Sequence, residues 1–242
     1  MWAYARGAFE DEPGVVYDFC AGRGGKYPHA FLEGWRGTLV VDAYSGYDAT
    51  LSLPGRSTAN CLAHARRKFD ELAKANASEV ARQAIGRIAW LYRIEAQARP
   101  LCTGQRLQMR QEQSGPLWQE LHMWLQLERS RVPEGSAIAK AIDYSLSHWE
   151  GLSRFLLDGA VPIDNNHIEN QMRPWALGRK NWLFIGSQLA GERAAAVMSL
   201  LQSAKLHGHD PWAYLKDVLT RLPTQLNSRI EELLPHRWQR AD

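Results

Sequence analysis

Residues 162–174 have the sequence Pro-Ile-Asp-Asn-Asn-His-Ile-Glu-Asn-Gln-Met-Arg-Pro, and the prediction of the fold starts from this stretch. It places a carboxylate, Glu169, in the first turns of a predicted helix, behind residues that favour helix N-termini. Asn166 and Glu169 have the spacing of a capping box, which is one interpretation. The other is a functional site, because residues 164–169 hold more polar side chains than a cap requires. The next cationic residues after Glu169 are Arg173, Arg179 and Lys180, whose side chains can contact phosphate groups.

A second carboxylate, Asp42, ends the strongest predicted strand. Residues 38–42 read Thr-Leu-Val-Val-Asp, an apolar run without alternation that is typical of a strand covered on both faces. Ligand sites of open α/β sheets lie at the carboxyl ends of strands. Asp42 therefore either serves such a site or caps the helix that follows.

Asp42 and Glu169 together suit Mg²⁺, because this cation binds one or two carboxylates together with phosphate oxygens of a substrate. In phosphoryl transfer, a pair of such ions activates an attacking water or 3′-hydroxyl and stabilises the leaving oxygen. A two-ion site needs three or more carboxylates. The acids of the flanking strands and turn do not resemble a strand-end ligand beside Asp42; they are Glu10, Asp11, Glu12 and Asp18.

Several other classes of protein are disfavoured. The 242 residues carry a net charge of +3, which permits a nucleic-acid partner without demanding one. Three scattered cysteines form no C-x-x-C pair, so we expect reduced thiols and no zinc site. The chain has no H-E-x-x-H or G-x-S-x-G motif, no apolar run of ~18 residues and no signal peptide, and we expect a cytoplasmic protein without a membrane span.

The remaining pattern predicts strands over 2–6, 15–20 and 58–63, a short helix over 28–33, and helices over 193–206, 211–222 and 227–234. Residues 70–151 form an all-helical block of about four helices. Breaks are predicted at Pro100, Gly104, residues 114–116 and residues 133–135. The arginines of the block form either a solvated face or a DNA-facing one; they are Arg99, Arg106, Arg110, Arg129 and Arg131.

At this point a family resemblance is visible along nearly the whole chain. It is carried by residues 32–47 (LEGWRGTLVVDAYSGY), residues 61–69 (CLAHARRKF), Ile163-Asp164-Asn165-Asn166 with Glu169 and Arg173-Pro174, residues 177–187 (LGRKNWLFIGS), Ser199-Leu200, Ala204-Lys205, and Asp210-Pro211 with Tyr214-Leu215. These segments resemble the bacterial transposases of the insertion-sequence-66 family.

The resemblance implies an α/β fold with a ribonuclease-H-like core, a mixed sheet flanked by helices, interrupted by an all-helical insertion. Asp42 matches the second acid of the family's catalytic Asp-Asp-Glu triad and Glu169 matches the third. Both would bind Mg²⁺, or Mn²⁺ as its substitute, during DNA cleavage and strand transfer. The implied domains are 1–69 and 152–208 for the core, 70–151 for the insertion and 209–242 for a helical tail. The residues expected to contact DNA are Arg66, Arg67, Lys68, Arg173, Arg179 and Lys180.

Three departures from the family pattern qualify this picture. The family's first catalytic Asp lies upstream of the segment that matches Trp2, so we expect an amino-terminally truncated chain that is inactive alone. Ala43 replaces the usual glycine after Asp42, and Asn170 replaces the usual arginine after Glu169. The alternative function is a non-catalytic remnant that binds DNA or oligomerises. The expected partners are DNA, at element ends and target, and a second copy or a full-length transposase.

Overall fold

The computed structural model describes residues 1–75, 78–178, 181 and 185–240. The strands are β1 (Trp2–Ala5), β2 (Val15–Asp18), β3 (Gly37–Val41) and β4 (Arg56–Asn60). The α-helices are α1 (Lys26–Phe31), α2 (Asp48–Leu51), α3 (Leu62–Lys74), α4 (Glu79–Ala98), α5 (Thr103–Met109), α6 (Gly115–Arg131), α7 (Ala137–Ser147), α8 (Trp149–Ser153), α9 (Asn166–Gly178), α10 (Gln188–Leu206) and α11 (Pro211–Arg221). A π-helical segment covers Arg110–Ser114, and 3-10 helices cover Ser45–Tyr47, Arg154–Leu156, Leu222–Thr224 and Asn227–Leu233.

The mixed α/β class is confirmed, with helices dominating and two-stranded sheets. The chain divides into two compact units. The first unit contains Met1–Phe31 and His167–Asp242, and the second contains Leu32–Asn166. The predicted domain boundaries and the ribonuclease-H-like core stay predictions. None of the helices in the described part of the chain is long and apolar enough to cross a lipid bilayer.

In the first unit, β1 and β2 form an antiparallel pair in which Trp2 lies opposite Asp18 and Ala5 lies opposite Val15. Helix α10 covers the edge of β2 that β1 leaves open. The N–H of Val15 donates to Ser203 Oγ at 3.1 Å, and the N–H of Tyr17 donates to Ser199 Oγ at 2.8 Å. Two residues of a strand span about 6.6 Å and four residues of a helix span about 6 Å. This match lets successive hydroxyls satisfy alternate strand amides.

The carboxyl-terminal elements of the first unit close on a small core of their own. It contains Ala204, Tyr214, Val218, Leu233 and Trp238. Tyr214 donates its hydroxyl to the Leu233 carbonyl at 2.8 Å, and Trp238 donates its indole N–H to Asp217 at 2.7 Å. The predicted helix over 227–234 is present as a 3-10 helix.

In the second unit, β3 and β4 pair in parallel from Gly37 opposite Arg56 to Val41 opposite Asn60. The crossover between them contains α2. The predicted strand over 58–63 is thus shifted, since Cys61 follows β4 and Leu62 already begins α3. Helix α3 and the helical block share one apolar core. This core includes Phe69, Leu91, Leu121, Ile142 and Ile163. Leu91, Leu121 and Ile142 of the block are buried, as its helical spacing predicts.

The break predicted at residues 114–116 is wrong, because helix continues from α5 through the π-helical segment into α6. The N–H of Gly115 donates to the carbonyl of Arg110, five residues back. Proline in an α-helix lacks a donor and clashes with the carbonyl four residues earlier. The wider π turn directly before Pro116 accommodates its ring.

Arg106 and Arg110 are buried, so both interpretations of these two arginines, a solvated face and a DNA-facing one, are wrong. Arg110 forms a bidentate ion pair with Glu95, with both N–O distances at 2.7 Å. Its remaining nitrogen, Nη1, donates to the carbonyls of Phe155, Asp158 and Val161 at 2.9–3.1 Å. Burial of a guanidinium is tolerated here because carboxylate and carbonyl oxygens receive its donors.

Arg106 acts in the same way one helical turn earlier. It donates to the carbonyls of Gly159 at 2.7 Å and Leu101 at 2.6 Å. The backbone of Gly159 approaches α5 so closely that a Cβ there would lie 2.0 Å from the Thr103 carbonyl oxygen. Both arginines therefore hold residues 155–161 against the helical block.

Arg110→Met should lower the free energy of unfolding by about 3–5 kcal/mol, because it strands the buried Glu95 carboxylate and three carbonyls. Chemical denaturation measures this change. The matched control is Arg131→Ala, which breaks an ion pair with Glu128 in which the arginine side chain is 61% exposed. We expect that control to cost no more than about 1 kcal/mol. Equal losses in the two variants would contradict the structural role of Arg110.

Candidate active site

A tight turn presents Asp42 directly after β3. The exposed carboxylate accepts a hydrogen bond from the N–H of Tyr44 at 3.2 Å, which closes the turn locally. The following 3-10 helix begins at Ser45, and its N-cap residue Tyr44 makes no side-chain cap. The helix-capping interpretation of Asp42 is therefore wrong. Its carboxylate shapes the turn and remains accessible.

The aromatic residues of the turn pack on its own backbone. The Tyr44 ring covers Gly46 so closely that a Cβ at residue 46 would lie 2.1 Å from a ring carbon. Tyr47 meets the Tyr44 ring edge-on at 6.0 Å between centroids. Ala43 adopts φ +64°, the left-handed region in which glycine is favoured. The glycine that the family resemblance implies at this position thus matches the backbone that the turn requires.

The segment before α9 is fixed to the same carboxyl end of the β3–β4 pair. The N–H of Cys61 donates to the Val41 carbonyl at 3.1 Å, which continues the ladder by one residue. The N–H of Leu62 donates to the Ile163 carbonyl at 3.1 Å, and the N–H of Asn165 donates to Cys61 Sγ at 3.4 Å. Asp42 and residues 163–165 consequently lie at one end of this strand pair.

Asp164 organises the start of α9. Its Oδ1 accepts the backbone N–H of Asn166 at 3.0 Å, and its Oδ2 accepts the Asn166 side-chain amide at 2.8 Å and the Tyr92 hydroxyl at 3.0 Å. Asn166 is itself the first residue of α9, so the predicted Asn166–Glu169 capping box is wrong. The acceptor at the helix start is the Asp164 carboxylate. The contribution of Tyr92 was missed because no local sequence signal connects residues 72 positions apart.

Burial sets the chemistry of the groups around this segment. Desolvation raises the pKa of the Cys61 thiol to about 11, so it stays protonated at neutral pH. Desolvation and the Asp164 carboxylate raise the pKa of Tyr92 above its ordinary value, which keeps its hydroxyl a donor. Asn165 is buried, and its side-chain carbonyl oxygen has no hydrogen-bond partner among the described residues.

The three predicted DNA-contacting residues of α3 are exposed and consecutive: Arg66, Arg67 and Lys68. Lys68 Nζ lies 4.4 Å from the centroid of the Tyr144 ring, a cation–π contact that orients the side chain. The Tyr144 hydroxyl approaches the Asp42 carbonyl at 3.5 Å, the limit for a hydrogen bond. The basic side chains of α3 therefore belong to the same unit as Asp42.

The other predicted site residues lie elsewhere. Glu169, in the first turn of α9, and Arg173 are exposed and belong to the first unit. Arg179 and Lys180 lie outside the described residues. Asp42 and Glu169 belong to different units, and their convergence stays a prediction. The described residues contain no group of three or more His, Cys, Asp or Glu side chains suited to a metal ion.

Comparison with known proteins defines the class to which this fold and these motifs belong. Residues 1–193 match the Transposase IS66 family, and residues 199–236 match the IS66 C-terminal element. The chain belongs to the IS66 family of transposases.

Three proteins of Sinorhizobium fredii (strain NBRC 101917 / NGR234) are similar to the chain, and all three are described as uncharacterized. They are y4hP, y4jD and y4qI, with 40%, 38% and 36% identity over 95%, 94% and 97% of this chain. The chain spans 44%, 46% and 46% of their respective lengths, less than half in each case. No solved structure matches the chain.

Ala43→Gly should raise the free energy of unfolding by about 0.5–1 kcal/mol. The left-handed conformation costs an alanine ~1–2 kcal/mol, and the greater freedom of glycine in the unfolded chain removes part of that gain. Denaturant titration measures the change. The matched control is Ala89→Gly within α4, which should lower stability by about 1 kcal/mol. Destabilisation by both variants would show that the turn at Asp42 is relaxed with alanine.

Proposed function

We propose that the chain carries the catalytic part of a DNA transposase, which cuts DNA at the ends of a mobile element and joins the 3′ ends to a target. Residues 1–69 and 152–208 would form a ribonuclease-H-like core, with 70–151 as its helical insertion and 209–242 as a tail. One observation carries the proposal. The carboxyl end of the parallel β3–β4 pair holds both Asp42 and the segment from which α9 begins.

The residues available fit Mg²⁺, or Mn²⁺ in its place. Asp42 offers an exposed carboxylate on a turn closed by its own hydrogen bond, and Glu169 offers an exposed carboxylate in the first turn of a helix. Hard oxygen ligands of this kind suit a cation that also binds substrate phosphates. When bound, the metal would activate the attacking hydroxyl and stabilise the leaving oxygen. By the family resemblance these are two of the three acids of the catalytic triad.

The DNA backbone would be held by cationic side chains. Arg66, Arg67 and Lys68 are exposed on α3, and Arg173 is exposed on α9. Arg179 and Lys180 are included by the family resemblance. Such contacts position the duplex without reading its sequence. The proposed protein partner is a second copy of this chain or a full-length transposase.

A second candidate, a non-catalytic DNA-binding module, is favoured by a separate observation. The exposed cations of α3 need no metal to bind phosphates. This candidate predicts DNA binding that is indifferent to Mg²⁺, Asp42 and Glu169. Measurements of metal binding and of DNA binding therefore discriminate between the two functions.

Metal binding is measured by isothermal titration of Mn²⁺ into the wild type, Asp42→Asn and Glu169→Gln. We expect the wild type to bind and each variant to lose binding, because each removes one anionic ligand. The control is Asp48→Asn, which neutralises an exposed acid in the first turn of α2 and should bind as the wild type does. Wild-type affinity in both carboxylate variants would contradict the proposed metal site. DNA binding without any metal binding would favour the second candidate.

DNA binding is measured by fluorescence anisotropy of a labelled duplex between ~50 and ~200 mM salt. The double variant Arg66→Ala, Arg67→Ala should weaken binding and reduce the slope of log affinity against log salt by about 2. The double variant Arg82→Ala, Arg93→Ala removes the same charge from exposed positions of the helical block and should retain the slope. Equal slopes in the two variants would exclude α3 as the principal phosphate-contacting helix.

A further inference from the structure

The chain that leads into α9 is held at two points by one face of helix α4. The Tyr92 hydroxyl donates a hydrogen bond to Asp164 Oδ2 at 3.0 Å. Glu95, three residues later on α4, forms the bidentate ion pair with Arg110. Residues three apart on a helix lie on the same face. Arg110 in turn holds the carbonyls of residues 155, 158 and 161. The whole connection from 155 to 166 is therefore tied to α4, directly at one end and through Arg110 at the other.

The contact at the α9 end is chemically specific. Asp164 receives three donors, and two of them come from Asn166, the first residue of α9. The third is the Tyr92 hydroxyl, which comes from the helical block. Burial and the neighbouring carboxylate raise the pKa of Tyr92, which preserves this donor at neutral pH. A carboxylate that receives donors from both a helix start and a distant helix fixes where the helix begins.

We infer that Tyr92 and Asp164 are positioning residues, which fix the first turn of α9 so that Glu169 can bind the catalytic metal. This inference rests on the proposed function of Glu169. It gives the helical block a role in the active site, since α4 supplies the tyrosine. Neither residue binds the metal itself. Both act by fixing the position of the first turn of α9.

The test compares Mn²⁺ affinity in the wild type, Tyr92→Phe and Tyr214→Phe. Tyr92→Phe keeps the ring and removes only the donor to Asp164. Tyr214→Phe is matched, because it removes a hydroxyl that bonds the Leu233 carbonyl at 2.8 Å, far along the chain from the metal-binding segment. Thermal unfolding of each variant is recorded in parallel. We expect Tyr92→Phe to weaken Mn²⁺ binding about tenfold, as is common for groups that orient metal ligands, and Tyr214→Phe to bind as the wild type does.

Three outcomes overturn the inference, and each has a different meaning. Equal Mn²⁺ affinity of the wild type and Tyr92→Phe contradicts the positioning role alone. A wild type without Glu169-dependent Mn²⁺ binding contradicts the proposed function, and the inference with it. If Tyr92→Phe and Tyr214→Phe lost affinity in proportion to their loss of thermal stability, Tyr92 would be a structural residue only. A loss confined to Tyr92→Phe at similar thermal stability supports the inference.

Discussion

The buried ion pair between Arg110 and Glu95 is the interaction on which the second unit depends. Arg110 is fully buried and distributes its donors between one carboxylate and three carbonyls of residues 155–161. Phe155 lies in the 3-10 helix Arg154–Leu156, and Asp158 and Val161 lie in the irregular chain that follows it. Because a guanidinium has donors in a fixed fork, it imposes one arrangement on that chain. The ion pair therefore fixes the conformation of residues 155–161. This effect differs from the stabilisation that the burial of apolar area gives.

This constraint extends to the candidate site through the residues that follow. Val161 lies three residues before Asp164 and Ile163 lies directly before it, and the Ile163 carbonyl accepts the N–H of Leu62, the first residue of α3. The same end of the strand pair carries Asp42 on its turn. The helical block is thus integrated with the strand-containing part of the second unit. It shares a core with α3 and supplies the groups that hold the chain before α9.

Local patterns allowed much of this arrangement to be predicted. The unbroken apolar run of β3 and the acid at its end follow from the composition of residues 38–42, and the helical spacing of the block identifies its buried face. The contacts between residues far apart in the sequence could not be predicted. The sequence shows Arg110 as a charge, and only the fold reveals that Glu95 and three carbonyls surround it. Tyr92 gives no signal of its contact with Asp164. The uninterrupted helix through Pro116 depends on a π turn that propensity rules do not foresee.

We propose that Asp42 and Glu169 bind one metal ion together. A crystal structure determined in the presence of Mn²⁺, with anomalous diffraction to locate the ion, is the decisive measurement. We expect an anomalous peak with one oxygen of each carboxylate at about 2.1 Å, the distance typical of a small octahedral cation. A peak bound by only one of them, or carboxylates that face apart with no ion between them, would contradict it.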